Sequence, residues 1–480
     1  MIKLENLKPY RVFHYFEEIS AIPRGSGDMK GISDYCAEFA VNHSLEYFKD
    51  SANNVIIKKP ASDGRENSAP VILQGHLDMV CQKKSDIQKD FKSEGIDLIV
   101  DGDFIKADGT TLGADNGIAV AMILAILEDS TISHPDIEAV FTTDEEIGMI
   151  GAGKLDFNLL KGKRMINLDS EEEDVLTVSC AGGSDFESVI PVKRMTMSGN
   201  KIDILIKGLK GGHSGVEIHK GRVNADIMAG RILCHLKNVC DFSIIAIDGG
   251  NKPNVIPNYC SVQLCAENPE KLINEAKEYF NTISEEIKER EKDFSPEITL
   301  SGKGEYSVFD KKSENDLIFA LNCIPDGVMT MSAEIGGLVE TSLNLGILET
   351  NENSVLLHHA LRSNKSSALK FLEEKLKKFY SFSDIEYTAF GHYPPWEFKD
   401  NSELQSLYKK VYKEITGKEI KVEAIHAGLE CGIFSAGIPD IDCIAIGPQL
   451  TDVHTVNETL SISSTALIYK ILLKILSEMK

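Results

Sequence analysis

The sequence contains no Cys-x-x-Cys pair, although ten cysteines are scattered along its 480 residues. This scatter argues against a structural zinc ribbon or a disulfide framework and favours small buried thiols in a reducing compartment. Long apolar runs are also absent, since the longest, Ile118–Leu127, has ten residues, whereas a membrane-spanning helix needs about 20. The charged segment Met1–Tyr10 lacks the apolar core of a secretory signal. We therefore expect a cytoplasmic protein with no membrane partner.

Basic charge is scarce in this chain. It has 51 Lys and Arg residues against 74 Asp and Glu residues, which gives a net charge of −23. Such an excess of negative charge argues against nucleic acid and anionic membrane surfaces as partners. The apolar fraction of 42% and the charged fraction of 26% are ordinary for a globular protein. The length predicts two or three domains.

Strand and helix patterns alternate near both ends of the chain, which favours an α/β fold with a largely parallel sheet. The segment Cys180–Gly183 is typical of a hinge into a different region, and from Lys201 the character of the sequence changes to half-exposed strands and long charged helices. It changes back near Pro394–Trp396. We therefore expect one domain built from residues 1–183 and 391–480, with an inserted α+β domain of two halves over residues 184–390.

Two adjacent acids, Glu145 and Glu146, follow the apolar strand pattern Ile137–Phe141. Neighbouring side chains at a strand end point in different directions. One carboxylate can therefore bind a metal ion while the other reaches a water molecule, as metal-assisted hydrolysis requires. Taken alone, such a pair is usually a solvated turn.

Another apolar strand pattern ends at His76, with Asp78 two positions later. A spacing of two places both side chains on one face of an extended chain. Asp78 can then accept the second ring N–H of His76 and fix the tautomer of a metal-binding imidazole. The alternative is a histidine that is hydrogen-bonded locally at the end of a strand.

Three more candidates lie at the ends of apolar segments. Asp115 precedes the helix pattern Ile118–Leu127, where it is either a helix cap or a carboxylate that bridges two cations. Asp169 ends a short strand pattern, and His454 lies just past another, where a structural histidine is the alternative. Several acids and histidines at such ends suggest a shared metal site beyond one edge of the sheet.

Eight short motifs contain these residues or lie between them in the chain. They are His76-Leu-Asp78, Gly113-Ala-Asp115-Asn-Gly117, Asp144-Glu-Glu-Ile-Gly148, Asn167-Leu-Asp169, Gly212-His-Ser-Gly215, Gly221-Arg-Val-Asn-Ala225, Asn254-Val-Ile-Pro257 and Asp452-Val-His454. With these motifs in this order, the chain resembles the M20 metallopeptidases, and among them the aminoacyl-histidine dipeptidases. The resemblance covers nearly the whole chain, and it depends on the shared order because each motif is weak alone.

The resemblance implies a mostly parallel-sheet zinc-peptidase catalytic domain over residues 1–183 and 391–480, with the inserted domain as its lid. It implies two Zn²⁺ per chain, for which Co²⁺ or Mn²⁺ are plausible substitutes. It assigns His76 and Asp169 to one ion, Glu146 and His454 to the other, Asp115 as the bridge, Asp78 as the residue that orients His76, and Glu145 as the general base. It also implies a cis peptide bond between Asp115 and Asn116.

The same resemblance implies substrate contacts from the lid. His213 would polarise the scissile carbonyl and Arg362 would bind the carboxylate end of the substrate, while Asn254 and Gly428 are weaker candidates. The chain departs from many relatives in its last glycine-rich turn, where Glu430-Cys431 stands in place of an Asp. This departure leaves the anchoring of the substrate open.

The activity implied is hydrolysis of dipeptides in the cytosol, of the Xaa-His or β-alanyl-His type, with broad specificity. An N-acyl-amino-acid deacylase on the same metal site and a non-catalytic peptide-binding protein are the alternatives. Glu145 argues against the binding protein, because pure binding needs no acid beside the ligands. Relatives often dimerise through the lid, so a homodimer and a monomer both remain open.

Overall fold

The computed structural model describes residues 4–381 and 385–480. The chain forms two compact units. Unit 1 comprises Met1–Ser179, Phe398–Ala424 and Leu429–Lys480, and unit 2 comprises Cys180–Glu397 and Ile425–Gly428. The interpretation of unit 1 as a catalytic domain and of unit 2 as a lid stays a prediction.

The described residues form ten α-helices. Several begin at a side-chain cap, as α8 does at Ser402 and α5 does at Asn268. The helices are α1 (Tyr10–Ser20), α2 (Lys30–Asn42), α3 (Ala114–Glu128), α4 (Ala225–Val239), α5 (Pro269–Ile287), α6 (Lys311–Cys323), α7 (Ser366–Tyr380), α8 (Glu403–Thr416), α9 (Glu430–Gly437) and α10 (Ile462–Glu478).

The strands are distributed over four sheets. They are β1 (Glu46–Lys49), β2 (Val55–Lys59), β3 (Val71–His76), β4 (Leu98–Asp101), β5 (Phe104–Ala107), β6 (Ile137–Thr142), β7 (Arg164–Asn167), β8 (Val175–Cys180), β9 (Gly182–Pro191), β10 (Arg194–Ile206), β11 (Gly212–His213), β12 (Ser243–Gly250), β13 (Val255–Ile256), β14 (Cys260–Ala266), β15 (Glu297–Phe309), β16 (Gly327–Met331), β17 (Val339–Thr350), β18 (Ser354–Ser363), β19 (Glu386–Tyr393), β20 (Lys421–Ile425), β21 (Asp442–Ala445), β22 (Leu450–Thr451) and β23 (Thr459–Ser461).

The central sheet of unit 1 has the strand order β1-β2-β6-β3-β7-β21-β8-β20. Its four middle strands, β6, β3, β7 and β21, are parallel to one another, and the strands that flank them pair antiparallel. Strands β3 and β6 are buried at every residue, as expected for strands covered on both faces. The predicted α/β class is confirmed, and the parallel part of the sheet lies at its centre.

Helix α3 is apolar on every side, and 13 of its 15 residues are buried. A helix of this kind belongs inside a core, and α3 packs against α1 and β3. The sequence predicts that it begins at Ile118, but the helix begins at Ala114 with a kink at Asp115 and Asn116. The first turn is not predicted from the sequence because these two polar residues interrupt the apolar pattern.

A second sheet of unit 1 has the order β22-β23-β5-β4. The segment Asp101–Asp108 has a turn-rich sequence. It nevertheless forms strand β5 and the turn that joins β4 to β5 in an antiparallel hairpin. The pairing of β23 with β5 joins the last part of the chain to this hairpin.

Unit 2 contains a sheet of nine strands in the order β15-β10-β14-β12-β17-β18-β9-β19, with β16 paired to β17. Helix α4 packs on β12 and β14, α5 packs on β10, and α7 packs on β18 and β9. One apolar core joins the sheet and these helices, and it includes Phe186, Ile204, Leu233, Phe280 and Leu372. A separate pair of short strands, β11 and β13, carries the segment around His213.

Between residues 4 and 381 and from 385 onward, no helix is both long enough and apolar enough to cross a membrane.

Candidate active site

The carboxyl ends of β3, β6 and β7 lie at one edge of the central sheet of unit 1. The register places His76 opposite Thr142 and Gln74 opposite Asn167. Side chains just beyond the ends of parallel strands therefore share one crevice, which is where open α/β sheets bind ligands. The loops after β6 and β7 carry Glu145, Glu146 and Asp169, whereas Asp115 lies in the first turn of α3 and His454 lies between β22 and β23.

His76 is the last residue of β3 and is only 1% exposed. Its Nε2 lies 3.2 Å from Oδ1 of Asp115 and 3.5 Å from Oδ1 of Asp169. Burial lowers the pKa of the ring, but the surrounding carboxylates, Asp169 foremost, outweigh this effect and raise the pKa well above its usual value. The surrounding carboxylates therefore favour a positive charge at Nε2 of His76.

Asp115 presents its other oxygen to a second histidine. Oδ2 of Asp115 lies 3.0 Å from Nε2 of His454, and this nitrogen also lies 3.0 Å from the carboxylate of Glu146. The two acids raise the pKa of His454 to about 11. His454 is half-exposed and lies in the loop between β22 and β23. The carboxylate of Asp115 thus lies between two imidazoles, as a bridging ligand would.

These side chains fit divalent cations. Ligand atoms of His76, Asp115 and Glu146 all lie within 4.8 Å of one another. A tetrahedral zinc ion with bonds of about 2.0–2.1 Å separates its neighbouring ligand atoms by about 3.3 Å. The two imidazoles lie 3.0 and 3.2 Å from Asp115, and His76 lies 3.5 Å from Asp169. Imidazole and carboxylate together suit zinc, cobalt and manganese.

Asp78 holds two parts of this region together. Nδ1 of His76 donates a hydrogen bond to the backbone oxygen of Asp78 at 3.1 Å, with a carboxylate oxygen of Asp78 at 3.4 Å. This bond places the ring proton on Nδ1 and leaves Nε2 free to bind a metal ion. The Asp78 carboxylate also accepts hydrogen bonds from the backbone of Glu145 and Glu146 and from the hydroxyl of Ser26.

Glu145 lies beside the predicted ligands. Burial raises the pKa of its carboxyl well above the usual value, and the negative charges of Asp169, Glu430 and Glu146 add to this effect. A carboxylate that gains affinity for a proton is better suited to accept one than an ordinary surface glutamate. The environment of Glu145 is therefore suited to a general base, and its role stays a prediction.

Asn116 is a structural member of the site that the sequence does not reveal. Its side chain accepts a hydrogen bond from the backbone N–H of His76 and donates one to the carbonyl of Leu168. It therefore links the end of β3 to the end of β7. The peptide bond between Asp115 and Asn116 is cis, as the resemblance implies.

Glu430 and Glu458 are two further buried acids in unit 1. Glu430 accepts hydrogen bonds from the side chains of Gln74 and Thr142, and burial raises its pKa to about 8. The Glu430 carboxylate is fully buried and has no contact with solvent.

Glu458 accepts hydrogen bonds from the backbone of the loop that carries Asp115. Its place four residues after His454 is the signal in the sequence that could have identified it.

The four predicted substrate contacts all belong to unit 2. His213 pairs with Val255 between β11 and β13, next to the exposed Asn254. Gly428 lies in the short segment Ile425–Gly428 and is partly buried.

The ring of His213 has a defined tautomer. Nδ1 accepts hydrogen bonds from the backbone N–H groups of Gly215 and Val216 at 3.1 and 3.2 Å. Burial lowers the pKa of His213, and the charge of Arg362 lowers it further. The ring is therefore neutral near pH 7 and carries its proton on Nε2, which makes it a hydrogen-bond donor.

Arg362 lies on β18 and donates a hydrogen bond from one terminal nitrogen to the hydroxyl of Tyr393 at 2.8 Å. His426 is nearby and buried. It bonds to Ser342 at 2.7 Å and to Asn364 at 3.1 Å, and burial lowers its pKa to about 3, with a further contribution from Arg362. Tyr393 and His426 are neighbours of Arg362 that the sequence does not assign.

Comparison with known proteins identifies the family. The model of the peptidase family M20/M25/M40 matches residues 72–478.

The chain belongs to this family.

The predicted membership of the M20 peptidases is thus confirmed, and the chain is a metallopeptidase, a hydrolase that uses divalent metal. It is 35% identical over 482 residues to the cytosol non-specific dipeptidase of Escherichia coli (strain K12), an alignment that covers 100% of this chain and 99% of the relative. The aminoacylhistidine dipeptidase of Vibrio alginolyticus matches with a TM-score of 0.92 and 35% identity, over 100% of this chain and 98% of that one. Human carnosine dipeptidase 1 shares the fold, with a TM-score of 0.51 and 13% identity over 100% of this chain and 97% of that one.

Proposed function

We propose that this M20 peptidase is a cytosolic dipeptidase that hydrolyses dipeptides with broad specificity, including the Xaa-His and β-alanyl-His types. The observation that carries the proposal is the position of Asp115 between His76 and His454, with Glu145 beside them. The alignments with two dipeptidases over essentially the full chain support the substrate class.

The proposed metal site would hold two Zn²⁺ ions. His76 and Asp169 would hold one ion, Glu146 and His454 would hold the other, and Asp115 would be shared between them. The donor set supports this division, because each carboxylate oxygen of Asp115 faces a different imidazole. Co²⁺ or Mn²⁺ are acceptable substitutes for ligands of this kind.

When bound, such ions polarise a carbonyl and lower the pKa of water towards about 7. Glu145 accepts the proton of the attacking water and delivers it to the amine that leaves. Asp78 supports this transfer because it holds the backbone of Glu145 in place and keeps the tautomer of His76. The acid and base steps therefore belong to one carboxylate.

Unit 2 supplies the groups that recognise the substrate. His213 donates from Nε2 to the carbonyl oxygen as negative charge develops on it. Arg362 binds the terminal carboxylate of the dipeptide, and Asn254 and Gly428 contribute further contacts. A charged group for the substrate's end favours a dipeptide over a long chain, since a longer chain has no carboxylate at that position.

The test is a substrate panel assayed with purified protein. The panel contains Xaa-His, β-alanyl-His and apolar dipeptides, tripeptides, and N-acetylated amino acids. We expect hydrolysis of the dipeptides, its loss after treatment with a chelator, and its return with Zn²⁺, Co²⁺ or Mn²⁺. Hydrolysis of the acetylated amino acids alone would instead identify a deacylase, and turnover that survives removal of metal would refute the metal site.

A further inference from the structure

The carboxylate of Glu458 accepts hydrogen bonds from four consecutive backbone N–H groups. Oε2 accepts from Leu112 and Gly113 at 2.8 and 2.9 Å, and Oε1 accepts from Ala114 and Asp115 at 2.8 and 3.3 Å. Glu458 is only 3% exposed. Charge-assisted bonds in a buried site are strong, so Glu458 holds the N–H groups of the loop that ends at Asp115.

Glu458 lies on the same loop as His454. This loop, between β22 and β23, is closed by its own hydrogen bonds, from Thr455 to Asp452 and from Glu458 to Thr455. The two residues are therefore four positions apart on a compact turn. Any shift of Glu458 against the Leu112–Asp115 loop would also shift His454 against Asp115.

Arg24 forms a second connection on the other side of the Leu112–Asp115 loop. The guanidinium is 2% exposed. One of its terminal nitrogens donates to the carbonyls of Leu77 and Asp78 at 3.1 and 3.3 Å, and the other donates to the carbonyl of Gly113. Gly113 has a φ of +69°, and a Cβ there would lie 2.6 Å from the guanidinium, so only glycine allows this approach.

These contacts join three loops from distant parts of the chain. The loops carry His76, Asp115 and His454, the histidines and the bridging acid of the proposed metal site. Burial lowers the pKa of the Arg24 guanidinium, whereas the negative charges of Glu458 and Asp78 oppose this effect. Arg24 and Glu458 therefore stabilise each other as opposite charges in one buried region.

We propose that Glu458 and Arg24 are positioning residues that set the spacing of the metal ligands, with Glu458 fixing His454 relative to Asp115 and Arg24 fixing His76 relative to Asp115. The inference rests on the proposed metal site, but it concerns residues that bind neither metal nor substrate. Removal of such supporting partners typically weakens metal affinity about 10- to 100-fold. A purely structural role would lower stability and leave the affinity unchanged.

Glu138 offers a matched control. Its carboxylate is 4% exposed and also accepts backbone N–H bonds, from Lys161 at 2.9 Å and from Gly162 at 2.8 Å. It lies near the start of β6, about 13 Å along the strand from the end that faces the site. Glu138→Gln therefore removes a comparable buried carboxylate without touching the loops of the site.

The experiment is calorimetric titration of the metal-free, full-length protein with Zn²⁺ alone, together with its melting temperature. We expect Glu458→Gln to weaken Zn²⁺ binding at least 10-fold, and Arg24→Lys to weaken it in the same direction, because lysine cannot contact both loops with one ammonium group. We expect Glu138→Gln to lower the melting temperature and to bind Zn²⁺ within about threefold of the wild-type affinity. Glu458→Asp keeps the charge on a shorter side chain and serves if Glu458→Gln fails to fold, with several-fold weaker binding expected.

Wild-type affinity in the folded Glu458 variant would overturn the inference, and so would an equal loss of affinity in Glu138→Gln. A wild-type protein that binds no divalent cation would instead refute the proposed function, and the positioning role with it. Failure of the positioning role and failure of the proposed function therefore give different results in the Zn²⁺ titration, without any assay of hydrolysis.

Discussion

The carboxylate of Asp78 accepts a hydrogen bond from the backbone N–H of Glu145 at 3.0 Å. Asp78, which lies beside Nδ1 of the predicted ligand His76, thus also holds the segment that carries the predicted base Glu145. Orientation of the imidazole and placement of the base are therefore coupled through a single buried side chain.

Glu145→Gln removes the proposed base and keeps the shape of the side chain. We expect kcat/KM for a dipeptide to fall by about 10²- to 10⁴-fold, with as many bound metal ions as in the wild-type protein. The adjacent substitution Glu146→Gln is the control, because Glu146 lies 3.0 Å from His454 and its loss should reduce the bound metal. Turnover in Glu145→Gln close to that of the wild type would remove Glu145 from the mechanism.

Asp78→Asn should affect both processes that Asp78 couples. The amide has one acceptor oxygen, so it cannot satisfy all the donors that now point at the carboxylate. We expect at least 10-fold weaker Zn²⁺ binding and a lower kcat in the metal-saturated protein. Asp103→Asn is the matched control, since the Asp103 carboxylate accepts hydrogen bonds from the hydroxyls of Ser461 and Ser463 and from the backbone N–H of Ser463. The same losses in both variants would indicate a general defect in folding.

Arg362→Ala tests recognition of the substrate carboxylate. A charge-assisted hydrogen bond is worth about 1.5–3 kcal/mol, so we expect kcat/KM for a dipeptide to fall by about 10- to 100-fold. The value of kcat/KM for the same dipeptide with a neutral C-terminal amide should fall much less. Arg231→Ala is the control within unit 2, because Arg231 pairs with Glu286 at the surface. An equal loss for the acid and the amide would argue against the assigned contact.

Asp326 predicts a pH dependence of stability that is separate from catalysis. Burial raises the pKa of its carboxyl to about 7, whereas the unfolded value is about 3.9. Between these values the unfolded state loses the proton and the folded state retains it, so stability should decrease as the pH rises from about 4 to about 7 and then level off. Asp326→Asn stays neutral and can still accept the bonds from Leu345 and Asn224.

The measurement for Asp326 is the melting temperature of wild type and variant between pH 4 and pH 8. We expect the melting temperature of Asp326→Asn minus that of the wild type to increase from pH 4 to about pH 7 and to be constant above about pH 7. Asp241→Asn, a substitution at an exposed position, should show no such trend. A difference that is independent of pH would contradict the raised pKa.

Much of the fold around the site follows from local sequence. The apolar segments that end at His76 and Thr142 are short, buried and β-branched, so they are recognisable as central strands. Parallel strands bring their carboxyl ends to one edge, which is why side chains far apart in sequence are expected to meet there. Helix α8, from Glu403 to Thr416, has bounds that are recognisable in the sequence, because Ser402 caps it and Gly417 ends it.

The parts that could not be predicted depend on distant partners. Strand β15 is mostly exposed and polar, and pairing with β10 rather than an apolar pattern makes it a strand. Strand β9 begins with two glycines, which favour a hinge when read locally. Arg24 and Glu458 are ordinary charged residues in the sequence, and their roles depend on backbone groups 53 to 89 and 343 to 346 positions away.

The separation of the site's members along the chain has a consequence for biosynthesis. Asp115 and His454 are 339 positions apart, and contacts over such distances form only after the intervening chain is available. Because the N-terminal part emerges from the ribosome first, a nascent chain can pair β3 with β6 and β7 long before it has His454. A chain that terminates before His454 would therefore lack one of the proposed metal ligands, and the proposed metal site can form only in chains whose translation has passed that residue.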